Sequence, residues 1–82
     1  MHPDCERWNL ALAGIAHLQR QARAALSELE HGKPEARKNS TSWREWNLRC
    51  SAWLVELDEL AQCERAARRA LAALREQHRQ AA

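Results

Sequence analysis

The sequence predicts an all-α protein: an antiparallel two-helix hairpin of the coiled-coil type, two copies of which pair into a four-helix bundle. Three observations carry that reading. Ala, Leu, Arg, Glu and Gln dominate, a mix that favours helix. Val and Ile occur once each, and Tyr and Phe not at all, so strands lack their usual residues. Apolar side chains recur at steps of three and four along two stretches, with a polar, turn-forming segment between them.

The first helix spans 4–31. Pro3 suits a first helical turn, and Asp4 complements the positive end of the helix dipole. Gly32 and then Pro34 stop it. Residues 32–41 read as a loop, since Lys33–Thr41 is polar and holds Pro, Asn, Ser and Thr. The second helix spans 43–78. Ser42 and Glu45 have the spacing of a capping box, the serine accepting from the helix start and the glutamate reaching back. The whole chain, 1–82, is one domain.

Helix two carries the clearest periodicity. Trp43, Trp46, Cys50, Trp53, Leu57, Leu60, Glu64, Ala67, Leu71, Leu74 and His78 alternate steps of three and four, which keeps them on one face as a heptad seam. Helix one repeats the pattern through Trp8, Leu12, Ile15, Gln19, Ala22, Leu26 and Leu29. A short polar connection between two such helices folds them antiparallel. With Leu29 set opposite Trp43 and Trp46, Gln19 and Ala22 flank Trp53, Ile15 meets Leu57, Leu12 meets Leu60 and Trp8 lies near Glu64. Gln19 and Glu64 are polar seam positions that need partners, and the indoles of Trp53 and Trp8 are the expected donors.

This register leaves apolar surface over. Leu71 falls opposite the start of the chain and Leu74 beyond it, uncovered by helix one. Leu48, Ala52 and Val55 form a stripe turned away from the seam, with Leu10 outward on helix one. A two-helix unit has little depth, so the expectation is a homodimer with Leu71, Leu74 and Trp53 in its interface. Trp43, Trp46, Leu48, Ala52 and Val55 make a candidate interface for a foreign protein, Trp and Arg being enriched at binding hot spots. The residues themselves leave open whether this stripe is dimer core or docking face.

Chemistry finds little support. No serine has His and Asp at a recognisable spacing, and no glycine-rich loop could cradle phosphate. The run Glu56, Asp58, Glu59 is a solvated face, because adjacent helical residues point apart. His2 and Cys5 could share a helical face, but zinc needs four ligands. The expectation is therefore no enzyme, no metal and no cofactor. Cys5, Cys50 and Cys63 are odd in number, the N-terminus lacks the pattern of a signal peptide, and no uncharged apolar run could span a bilayer. A cytoplasmic chain with reduced thiols is expected, and Cys50 is a small core residue.

A formal charge of +2 implies no partner by itself. Arg65, Arg68, Arg69, Arg75 and Arg79 nevertheless make the end of helix two basic, and they are the possible contacts of an alternative, nucleic-acid-binding function. Cations there also suit a helix C-terminus on dipole grounds. A third reading is a structural or chaperone-like assembly component whose helices lie along another protein's helix.

Trp8-Asn9-Leu10 in the first helix, the polar loop closing on Ser42-Trp43-Arg44, and Trp53-Leu54 ahead of an Ala-rich second helix carry a resemblance. The chain resembles the small early proteins of temperate phages that form helical hairpins and inhibit host regulators or pilus motors. That resemblance implies a bacterial cytoplasm and a host protein as partner, either a transcriptional regulator or a pilus assembly ATPase. This chain is longer at its C-terminus than those proteins.

Overall fold

The computed structural model describes residues 3–35 and 40–81. Two helices, α1 (Pro3–His31) and α2 (Thr41–Ala81), pack against each other in a rod with extents of 64 × 16 × 11 Å. Among the described residues there is no strand. Residues 36–39 of the expected loop lie outside the described residues.

Both helices are close to their expected spans, and their ends follow local chemistry. Pro3 opens α1, with Asp4 and Glu6 in the first turn at the positive end of the dipole. At its other end the Gly32 N–H donates to the Glu28 carbonyl at 3.0 Å, and the His31 ring nitrogen Nδ1 lies 2.7 Å from the Ser27 carbonyl oxygen. The first contact satisfies one of the four carbonyls that the helix itself leaves without donors, and the second adds a ring contact to a carbonyl of the last turn.

The start of α2 corrects one expectation. Ser40, not Ser42, is the cap: its Oγ accepts from the Trp43 N–H at 3.2 Å, and its carbonyl accepts from the Arg44 N–H at 3.0 Å. Ser42 and Glu45 are exposed inside the first turns and form no capping box. Ser40, Thr41 and Ser42 are all cap-forming types, so the sequence permits three starting points and cannot rank them. The earliest is used, which lengthens the helix by two residues. At the far end α2 runs on to Ala81, past the expected 78.

The seam is built mainly on small side chains. Cys5, Ala22, Cys50, Leu60, Ala67 and Leu71 are its buried apolar residues, and Gln19 is the buried polar one. No large described side chain is fully enclosed. Small residues let the two axes approach closely, while two helices alone leave every Trp at least partly exposed.

The register is the main correction. At the loop end the expected neighbourhood holds: the Trp46 indole N–H donates to the Leu29 carbonyl at 2.6 Å. Further along, the pairings change. Gln19 bonds Glu64 at 3.0 Å instead of flanking Trp53. Trp8 lies with Ala70, Ala73 and Leu74 rather than beside Glu64. Two polar seam residues therefore satisfy each other, and neither uses an indole.

The reason is side-chain direction. Helical side chains lean toward the start of their own helix. In an antiparallel pair Gln19 leans away from the loop and Glu64 leans toward it, so they meet from backbone positions well past level. The square-on alignment of the sequence reading ignores this lean. Leu71 is consequently covered within the hairpin, at 5% exposure, and Leu74 is half-buried against Trp8. The expectation that both lie bare is overturned.

Candidate protein-binding interface

Heptad position decides which side of the seam each residue borders. In an antiparallel pair, the d and g positions of both helices flank one side, and the a and e positions flank the other. Here d is Trp8, Ile15, Ala22, Leu29 in α1 and Trp46, Trp53, Leu60, Ala67, Leu74 in α2. The a positions are Cys5, Leu12, Gln19, Leu26 and Trp43, Cys50, Leu57, Glu64, Leu71.

The d/g side is apolar and open. It holds two recesses, one at each end. Near the loop, Ala25, Leu29, Trp46 and Trp53 form the apolar lining, rimmed by Glu28, Glu45 and Arg49. Near the termini, Trp8, Ala70, Ala73 and Leu74 form it, rimmed by Asp4, Arg7 and Gln77. Leu18 lies between the recesses on the same side and is 47% exposed, and Trp53 is 36% exposed. Gly14 is also there, with open space where a Cβ would stand.

The a/e side is closed by polar groups. The Gln19 amide donates to one oxygen of Glu64, and the Arg68 guanidinium donates to the other at 2.9 and 3.0 Å. Hydrogen bonds from Gln19 first, and then from Arg68, hold the Glu64 carboxyl below its ordinary 4.5, with the charges of Arg68 and Arg23 adding to the effect. Arg20, Arg23, Arg65, Arg68, Arg75 and Arg79 all occupy positions on or bordering this side.

The expected interface residues do not form one patch. Trp46 and Ala52 border the apolar side, and Trp43 sits at an a position on the other. Their rings still meet, with centroids 6.4 Å apart and planes at 49°. Lys33 places its Nζ 5.5 Å from the Trp46 ring centroid. Leu48 and Val55 stand on the back of α2, 69% and 58% exposed, and Leu10 on the back of α1 is 74% exposed. Of the dimer residues, Trp53 and Leu74 line the open recesses, whereas Leu71 is interior.

Among the expected nucleic-acid contacts, Arg69 points straight outward, apart from Arg65, Arg68, Arg75 and Arg79 on the arginine side. Arg20 and Arg23 are additions that the sequence reading missed. Their signal was present as e and b positions of helix one, but only once the two helices are paired do they join the others. Cys5 and Cys50 are buried thiols and Cys63 is exposed. Among the described residues no three His, Cys, Asp or Glu side chains gather as metal ligands, and no helix is long and apolar enough to cross a membrane. Comparison with family models, curated proteins and solved structures found no match to this chain.

Proposed function

We propose that this chain is a non-enzymatic protein-binding module that works by helix-on-helix packing: it pairs with itself into a four-helix bundle and occludes a surface of another protein. The observation that supports this is the d/g side, an apolar strip reaching from Trp46 and Trp53 to Trp8 and Leu74 and uncovered by its own chain. Exposed apolar patches rimmed by polar residues mark interaction sites. The separate stripe of Leu48, Ala52 and Val55 on and beside the back of α2 remains available for the second protein after self-pairing. Following the phage resemblance, that protein is a bacterial transcriptional regulator or pilus assembly ATPase, met in the cytoplasm.

The test combines Leu48→Glu and Val55→Glu. Both side chains face solvent, so circular dichroism and self-association stay unchanged, while capture of the partner from a bacterial lysate is lost. A double variant that captures the same protein with the same affinity removes the back of α2 from the function.

A second reading is favoured by the arginines of the a/e side, which present a basic surface suited to phosphate. It expects retardation of DNA or RNA that weakens steeply with added salt. No retardation at low salt ends it.

A further inference from the structure

We infer that the strip from Trp46 to Leu74 is covered by a second copy of the chain lying the opposite way round, with α1 on α1, α2 on α2 and the two loops at opposite ends of the bundle. This rests on the self-pairing reading above and adds the face used and its orientation. Area is the first argument. The chain exposes 6445 Å². A compact monomer of its mass exposes about 5,000 Å². The excess is about 1,400 Å², and a stable interface buries about 800 Å² per partner.

Bulk fixes the direction. The half of the strip near the loop carries Trp46 and Trp53, and the half near the termini presents Ala70 and Ala73 on the same helix. Close packing sets large side chains against small ones. Turning the second copy end for end brings Trp46 and Trp53 of each α2 toward the partner's Ala70 and Ala73, and each Trp8 toward the partner's Ala25. Loops at the same end would instead crowd the tryptophans of both copies together. Charge agrees with this. When the two recesses are superposed, Arg7 of one copy meets Glu28 of the other, twice per dimer. These residues rim opposite recesses and lie about 31 Å apart along their own helix. They cannot meet within one chain.

Two measurements test the arrangement on the full chain. Sedimentation equilibrium gives the self-affinity of wild type, Arg7→Glu, Glu28→Arg and the double exchange. Each single reversal weakens pairing about tenfold, and the double exchange restores it. For distance, a spin label on Arg44→Cys in a Cys63→Ser background is read by pulsed electron resonance. Opposed copies give about 50 Å, from 1.5 Å rise per residue on either side of the bundle centre, and copies with loops together give under about 30 Å. A dimer with short label distances and no restoration overturns the orientation and leaves self-pairing standing. A monomer at every concentration removes both.

Discussion

The two long sides of this hairpin share a seam but end differently. On the a/e side, Gln19 and Glu64 bond to each other and Arg68 closes over them, so the seam is sealed by groups that water also accepts. On the d/g side the same seam ends in Trp46, Trp53, Leu18 and Trp8, with Glu56 and the charges at the rims of the recesses among them. One side is finished by its own chain. The other stays open in the hairpin, with Leu18 47% and Trp53 36% exposed. The two sides of one seam thus differ in what borders it, arginines with the Gln19–Glu64 pair on one and exposed Trp and Leu on the other.

The comparison can be broken from below by removing what the two sides share. Leu60, 7% exposed, supports both. Leu60→Ala costs about 2–5 kcal/mol. That is enough to unfold so small a domain, and thermal melting should show a loss of cooperativity on both sides together.

A sharper contrast uses two leucines of similar exposure. Leu18 on the open side is 47% exposed and Leu54 on the arginine side 57%. Leu18→Ser lowers stability by about 1 kcal/mol, because pairing buries the remaining half of that side chain. The loss appears only at protein concentrations where wild type is dimeric. Leu54→Ser changes melting within about 0.5 kcal/mol at every concentration. Equal effects at equal dilution would mean the two sides are not different.

The smallest effect concerns the polar seal. The Glu64 carboxyl titrates below 4.5 in the folded chain. Its contribution is therefore complete above the unfolded value and fades as pH falls through the folded one. Wild type should lose a little melting temperature on acidification below about pH 4.5. Gln19→Leu removes the first cause of the shift and flattens that acid dependence, while self-affinity stays as it was. An unaltered acid profile would take Gln19 out of the seal.

Much of this was legible beforehand, and for identifiable reasons. The three-and-four spacing from Trp43 to Leu74 defines a helix and its buried face without reference to anything else, and Gly32 with Pro34 ends α1 where expected. Pairings were harder. Side-chain lean depends on helix direction, so the meeting of Gln19 with Glu64 becomes visible only when the antiparallel geometry is respected. The stripe of Leu48 and Val55, turned away from the seam, was legible as spacing, but the sequence reading groups it into one interface with Trp43 and Trp46, which lie on other faces of α2. Two arginines of α1 escaped notice because their neighbours are supplied by the other helix.

The bond from the Trp46 indole to the Leu29 carbonyl has a consequence for how the connection can evolve. This clasp at the mouth of the hairpin, the Gln19–Glu64 bond and the buried seam together align the helices, so the connecting segment need only tether them. Linkers of other lengths and compositions then become interchangeable there, since each doubling of a flexible linker adds only about 0.6 kcal/mol of closure entropy. Lineages are free to remodel that tip, or to thread a recognition peptide through it, without disturbing the rods beneath.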